Sequence, residues 1–591
     1  MTKSNLKEIG CKVKRWGVIR MNNEWWKKAT IYQIYPKSFM DTNGDGIGDI
    51  NGVIEKLDYL KKLGVDVLWL TPMYQSPQND NGYDISDYYS LQPEYGTMED
   101  LKHLFSEAHR RELKIVMDIV VNHTSTEHPW FKAALSSVDN PYRDYYIWRN
   151  PSEDGGAPNN WQSKFGGSAW ELDKKSGQYY LHLYDVSQAD LNWENKAVRD
   201  DIYKMMNFWL DQGADGFRLD VINVISKDQR FPDDHDPKSP GDGRPFYTDG
   251  PRIHEFLHEM NERVFSRRSG TVTVGEMSST TVDNCIRYTN PNDKELSMVF
   301  NFHHLKVDYP NGQKWALGKL KLADLKKALT EWQKGMHKGG GWNALFWCNH
   351  DQPRIVSRFG DEGEYRIESA KMLATTLHML QGTPYVYQGE EIGMTNPNFQ
   401  RIDDYRDVES LNAYRFLQNE GKSEKEILAI LRQKSRDNGR TPMQWNTSEN
   451  GGFTTGKPWI EVARNYQAVN AEAALADPNS VFYHYQKLIA LRKRFDVIVN
   501  GDFQLLLPEN TQIFTYLRSG ARDRLLVVSN FTGSAAAFSV PQKLAAARSE
   551  LLISNYSDSP AHLYSLNLRP YESVVYHLED TMKKFINLPD M

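Results

Sequence analysis

The chain is poor in cysteine. Only Cys11, Cys285 and Cys348 occur among 591 residues, and no two of them form a closely spaced pair. Neither a disulfide framework nor a cysteine-based zinc site is indicated, and a reducing, cytoplasmic setting is expected. Long apolar runs are also missing: nothing approaches the roughly 18 residues of a membrane-spanning helix, so no membrane partner is expected. Positive charge is not in excess. Lys and Arg total 71 against 77 Asp and Glu, a formal net charge of −6, which provides no global field to attract nucleic acid. The first twenty residues are basic but lack the apolar stretch of a secretory signal. Met21 directly precedes Asn-Asn-Glu-Trp-Trp, so residues 1–20 are read as an extension outside the fold, or an alternative start. Internal repeats and low-complexity linkers are absent too.

What is abundant is aromatic surface. Sixteen Trp and 31 Tyr supply flat amphipathic rings of the kind that stack on the C–H faces of sugars, although large cores use the same rings for packing. The length is too great for one compact core. Short β-rich runs alternate with longer amphipathic stretches, a pattern that predicts a parallel sheet with helical crossovers. Eight such strands are expected at 30–35, 67–70, 115–121, 216–219, 271–274, 298–302, 344–347 and 385–387. Several run straight into polar residues, including Asn122-His123, Asp220, Glu276 and Asn349-His350-Asp351. Chemistry at strand ends is the arrangement of an α/β (β/α)₈ barrel (a TIM barrel), whose active site lies at the C-terminal ends of its strands. The barrel is expected in two parts, 21–122 and 194–496. About 95 residues separate the third and fourth strands, where one barrel step needs roughly 30, so residues 123–193 are read as an inserted subdomain over the barrel mouth. A second insertion is expected at 395–452. From 497 to 591 short alternating strands predict a separate antiparallel β-sandwich domain.

Three carboxylates stand at strand ends. In Gly216-Phe217-Arg218-Leu219-Asp220 the period of two places Arg218 and Asp220 on one side of the strand, and the cation favours an ionised carboxylate. Glu276 closes the next strand and Asp351 follows the seventh. Two carboxylic acids flanking one glycosidic bond are the equipment of a glycoside hydrolase.

These motifs carry a resemblance. Asp118-Ile-Val-Val-Asn122-His123, Gly216-Phe-Arg218-Leu-Asp220, Gly275-Glu276 and Asn349-His350-Asp351 are similar, in order, to the four regions of the α-amylase family, glycoside hydrolase family 13, and Gln188-Ala-Asp190-Leu-Asn192-Trp193 to its additional region. The resemblance implies Asp220 as nucleophile, Glu276 as general acid and then base, and Asp351 as a grip on sugar hydroxyls. It implies that Arg218 orients Asp220, and that His123 and His350 bind hydroxyls of the same glucose. Tyr83 would stack on that glucose, and Asp84 would pair with Arg436 to close the pocket behind it.

The loop from Asp41 to Asp49 resembles calcium-binding loops of related α-glucosidases, which implies a structural Ca²⁺ on Asp41, Asn43, Asp45, the Ile47 carbonyl and Asp49. Its twelfth position is Gly52 rather than Glu, so it is not an EF-hand. Val221 after Asp220 resembles the oligo-1,6-glucosidase group. Within that group the stretch Phe302-His303-His304-Leu305-Lys306 offers cations beside the leaving group, where a phosphate would gain charge-assisted hydrogen bonds. Lys306, with His303 or His304, is the expected phosphate contact. Resemblance within that group further implies, as the small-molecule partner, a phosphorylated disaccharide, α,α-trehalose 6-phosphate, cleaved with retention to glucose and glucose 6-phosphate. Isomaltose-type sugars are the alternative substrate. A non-enzymatic role, as in transporter accessory subunits of this family, is disfavoured because all three carboxylates are present and no membrane helix is.

Overall fold

The computed structural model describes residues 24–545, 548–563 and 565–579; the extension 1–20 and Cys11 lie outside them. Eight parallel strands form the centre: β1 (Ile31–Ile34), β2 (Val67–Leu70), β3 (Lys114–Val120), β4 (Gly216–Asp220), β5 (Val272–Glu276), β6 (Met298–Phe300), β7 (Ala344–Leu345) and β8 (Thr383–Tyr387). Each pairs with its sequence neighbour from β1 to β6, β7 pairs with β8, and β8 pairs back onto β1. A parallel bridge between Val299 and Asn343 spans the remaining gap. Every residue of these strands is buried except Lys114. That explains their unalternating sequences, such as Val-Leu-Trp-Leu in β2: one face meets the barrel interior and the other the surrounding helices.

The helices read more conventionally. Thr97 caps the helix Met98–Arg110 in a reciprocal box with Asp100, which satisfies two orphan N–H groups. The same helix buries Leu101, Leu104, Phe105 and Ala108, a stripe spaced three, four and seven residues apart. Leu101, Leu104 and Phe105 each contribute about 1.5–3 kcal/mol on burial.

The first insertion is a small aromatic-cored unit. Strands Trp148–Arg149, Gln178–Leu181 and Trp170–Asp173 form one antiparallel sheet, and Phe131 packs edge-on to Tyr146 and Tyr180. Much of the aromatic enrichment is therefore packing: Trp69, Trp161, Trp193, Trp209 and Trp347 are fully buried. A further loop, not anticipated from the sequence, leaves β4 and zips onto this unit. Asn160 N–H donates to Asp233 at 2.9 Å, Asp234 N–H to the Asn160 side-chain oxygen at 2.7 Å and Gln162 N–H to the Gly241 carbonyl at 2.8 Å. Gly241 has φ +79°, and a Cβ there would sit 2.7 Å from the Asn160 carbonyl, so only glycine fits this seam.

The second insertion carries the helices Val408–Asn419, Glu424–Lys434 and Asp437–Arg440. Beyond Asn500 an antiparallel five-stranded sheet follows, with the pair Ala536–Phe538 and Leu566–Leu568 packed against it. Its outer strands are Asp502–Leu506 and Arg548–Ser554. The period of two is visible within Arg524–Asn530: Leu526 and Val528 join the domain's own core, while Leu525 and Val527 join the core shared with the barrel. Tyr516 Oη donates to the Thr376 carbonyl at 2.7 Å across that seam.

Candidate active site

Arg218 is the hub of the barrel mouth. Its Nη1 donates to Asp118 Oδ1 at 2.8 Å and to Asp220 Oδ1 at 2.5 Å, and its Nη2 to Glu276 Oε2. Strand register makes this possible, because Arg218 lies beside Asp118 on β3 and Val274 on β5. Asp118 is fixed in turn by Trp69 Nε1 at 3.1 Å and Tyr83 Oη at 3.0 Å. Val221, directly after Asp220, has φ 35° and ψ 40°. That is a left-handed conformation rare for a β-branched residue and strained by about 1–3 kcal/mol. It aims the Val221 N–H at Glu276 Oε2, 3.3 Å away.

Electrostatics separates the two carboxylates on the hub. Burial pushes Asp220 up to about 6, against the pull of Arg218. Burial pushes Glu276 further, to about 8, with Asp220 and Asp351 adding like charge. At neutral pH the first is chiefly a carboxylate and the second chiefly an acid. An ionised carboxylate and a protonated carboxylic acid thus stand side by side, set apart by their environments.

Asp351 is held the other way. Burial opposes its charge, but His350, Arg436, Arg440 and Arg218 hold its carboxyl well below the usual range. Arg440 Nη2 donates to Asp351 Oδ1 at 2.7 Å, and Arg436 Nη1 lies 3.3 Å from the same oxygen. His350 is stacked between Tyr83 (5.1 Å, 5°) and Tyr35 (6.0 Å, 15°). Gln33 Nε2 lies 2.8 Å from its Nδ1; an amide NH₂ only donates, so this contact assigns the ring proton to Nε2. Nε2 comes within 3.3 Å of Asp351 Oδ2 without hydrogen-bond alignment, so it retains a free donor. Burial lowers His350 to about 3 and His123 to about 4, which keeps both rings neutral. His123 Nε2 lies 3.2 Å from the Tyr83 carbonyl.

The end wall differs from expectation. Arg436 pairs with Asp80 at 2.9 Å and Asp407 at 2.5 Å, not with Asp84. Asp84 is fully buried and accepts from Ser76 Oγ at 2.9 Å, Asn79 N–H at 2.9 Å and Asp80 N–H at 3.1 Å. Its carboxylate folds the Asn79–Tyr83 turn, and the turn delivers Asp80 to Arg436. Asp80, Asp407 and Arg440 were thus missed. Asp80 stands in the same acidic motif as Asp84, and Arg440 lies one helical turn past Arg436, so both carried a local signal. Asp407 carried none.

The pocket encloses about 530 Å³ and is lined by Asp220, Glu276, Asp351, Asp80, Tyr83 and His123, among others. Besides Arg436, four cations line it: Lys164, Arg244, Lys306 and Lys314. Asp242 pairs with Lys164 at 3.2 Å and with Arg244, and Glu409 holds Lys314 at 2.6 Å. Among the described residues Lys306 has no carboxylate partner. Burial, with the charges of Arg244 and Lys314, lowers its pKa. His303 and His304 do not join it in lining the pocket. His304 is buried against Phe346 and Trp347, with Nε2 2.7 Å from the Phe346 carbonyl. His303 packs on Trp332 at 4.9 Å. Burial lowers both, His304 to about 4, so neither supplies a cation at neutral pH.

The 41–49 loop folds around its own oxygens. Asp41 accepts from the N–H groups of Asn43, Gly44 and Gly46, Asn43 from Asp45, and Asp45 from Ile47. Asp49 caps the helix Ile50–Glu55 through Gly52 N–H. Its donors are all hard oxygens, the chemistry calcium takes. Among the described residues, however, no three His, Cys, Asp or Glu side chains converge into a metal-holding group.

The family profile described as "Alpha amylase, catalytic domain" matches residues 33–501, and that of the "Alpha-amylase SusG C-terminal domain" matches 513–575. The chain is 66% identical to trehalose-6-phosphate hydrolase of Bacillus subtilis (strain 168) over 94% of its length and 98% of the relative's. It is 55% identical to oligo-1,6-glucosidase of Parageobacillus thermoglucosidasius over 94% of its length and 100% of that protein's. The crystal structure of Bacillus licheniformis trehalose-6-phosphate hydrolase superposes with a TM-score of 0.90 at 64% identity, covering 94% of this chain and 100% of that one. A nearly closed eight-stranded barrel, paired carboxylates on one arginine and a profile match over residues 33–501 agree: the chain belongs to the α-amylase family of glycoside hydrolases, family 13.

Proposed function

We propose that this enzyme hydrolyses α,α-trehalose 6-phosphate to glucose and glucose 6-phosphate by a retaining double displacement. Asp220 attacks the anomeric carbon as Glu276 protonates the leaving oxygen. Glu276, now a carboxylate, then takes a proton from the water that releases glucose. Asp351, His123 and His350 grip the hydroxyls of the terminal glucose, Tyr83 stacks on it, and Asp80 with Arg436 closes the end of the pocket.

The observation that carries the substrate is the cation cluster. Lys164 and Arg244 share Asp242, Lys314 pairs with Glu409, which Arg436 also approaches at 3.4 Å, and among the described residues Lys306 has no carboxylate, so the wall keeps net positive charge. A neutral sugar gains little there, whereas a phosphate dianion gains charge-assisted hydrogen bonds. The relatives named trehalose-6-phosphate hydrolase support the same reading, and those named oligo-1,6-glucosidase define the competing one. For the 41–49 loop we propose a structural Ca²⁺, supported by its all-oxygen donor set. The deciding assay measures glucose 6-phosphate release from trehalose 6-phosphate beside glucose release from isomaltose, with Asp220→Asn as control. Preference for isomaltose, or turnover surviving Asp220→Asn, overturns the assignment.

A further inference from the structure

The loop that carries Lys306 is held from behind by a buried ion triad for which the chemistry above has no use. Arg358 Nη2 and Nε donate to Asp308 Oδ1 and Oδ2 at 2.7 and 2.9 Å, and Lys434 Nζ reaches Oδ2 of the same carboxylate at 2.8 Å. The three side chains are 3%, 4% and 2% exposed for Arg358, Asp308 and Lys434. Two cations on one carboxylate in that environment are costly unless their remaining donors are satisfied. Arg358 places its own on functional ground: Nη1 donates to Gln352 Oε1 at 2.8 Å and Nη2 also to the Leu305 carbonyl.

The contacts are placed around the pocket wall. Leu305 and Asp308 bracket Lys306, and Tyr309 lies against both cations, 5.6 Å from Arg358 and 5.0 Å from Lys434. Lys306, Tyr309 and Gln352 all line the pocket. Three segments of separate origin therefore meet at Asp308: the loop after β6, the segment after β7 that bears Asp351, and the end of the helix Glu424–Lys434. Burial opposes these charges, yet the pairing holds Asp308 below and Arg358 above their ordinary values.

We propose that Arg358 and Lys434 are positioning residues for substrate selection: they fix the Lys306–Tyr309 wall against the catalytic segment, and so set the preference for a phosphorylated over a neutral leaving group. The proposal rests on the substrate reading above. A merely structural triad would affect every substrate alike, whereas a positioning triad affects the one that reaches the wall. Arg358→Lys keeps the charge but loses the fork, and Lys434→Met removes the second cation.

The test compares trehalose 6-phosphate with p-nitrophenyl α-glucoside, which carries no phosphate. For Arg358→Lys, KM for the phosphorylated substrate is expected to rise about ten-fold or more, since a displacement of about 1 Å is worth up to about a hundred-fold. Both constants for the aryl glucoside are expected to stay within about two-fold. Lys434→Met shifts KM the same way by less. Equal losses on both substrates, no change on either, or failure of both variants to fold each overturns the proposal. The substrate reading is judged separately, by the unsubstituted enzyme: if it shows no preference for the phosphorylated sugar, that reading fails whatever the variants do.

Discussion

The separation of Asp220 from Glu276 fixes the shape of the pH profile. With Asp220 near 6 and Glu276 near 8, the active form has the first ionised and the second protonated. At pH 7 each condition is met in about nine-tenths of molecules, so about four-fifths are competent. At pH 5 Asp220 is ionised in about one molecule in eleven and the rate falls about nine-fold; at pH 9 Glu276 is protonated as rarely and the fall is the same. The substrate must be chosen limb by limb. A sugar phosphate titrates near pH 6 itself, which would distort the acid limb, so that limb is read from kcat/KM for the neutral p-nitrophenyl α-glucoside. A nitrophenolate needs little protonation, which would blunt the basic limb, so that limb is read from trehalose 6-phosphate above pH 7. Glu276→Gln should abolish the basic limb and lower trehalose 6-phosphate turnover by about 10²–10⁴, the usual worth of a general acid, while formation of the glucosyl-enzyme from the aryl glucoside suffers far less. A profile flat between pH 5 and 9 would refute the reasoning. So would a Glu276→Gln enzyme that lost its acid limb instead.

Other outcomes follow from the same geometry. Asp80→Asn removes one of the carboxylates on buried Arg436, which keeps Asp407 at 2.5 Å, and should weaken glucose binding and turnover by about 1.5–3 kcal/mol, the worth of a hydrogen bond to a charged group. Asp84→Asn should instead lower Tm at nearly constant kcat, since its carboxylate organises a turn; steady-state kinetics beside thermal melts will separate them. Lys306→Ala should raise KM for trehalose 6-phosphate by about 1.5–3 kcal/mol, roughly ten- to a hundred-fold, with His303→Ala and His304→Ala leaving the ratio of phosphorylated to unphosphorylated substrate unchanged. If all three substitutions act alike, the cation assignment is wrong. Saturating Ca²⁺ should raise Tm relative to a chelator by an amount set by its affinity, about 2.7 kcal/mol of stability at a hundred times Kd, and Asp45→Asn should reduce the difference; identical melts with and without the ion would dismiss it.

The two halves of this site were unequally legible in sequence because different forces build them. Asp220 and Arg218 could be placed on one face from the period of a strand, and the barrel's continuous burial wrote its strands as apolar runs. Backbone geometry dictates both. No such rule told Asp80 from Asp84: the choice turns on which carboxylate collects three short hydrogen bonds inside the Asn79–Tyr83 turn. The same holds for Arg436 and Asp80, 356 residues apart in the chain. The histidines failed for a local reason. Within the three-residue turn His303–Leu305, successive side chains point about 120° apart, so His303 and His304 cannot share one direction; His303 packs on Trp332 and His304 on Phe346, and burial removes the charge that made them attractive. Cation count alone was likewise a poor guide to specificity. What decides the wall's charge is which carboxylate sits on which cation: Asp242 is shared by Lys164 and Arg244, and Glu409 holds Lys314. Lys306 stands out because, among the described residues, it lacks such a partner, and that lack is a property of the fold rather than of the residues around it in sequence.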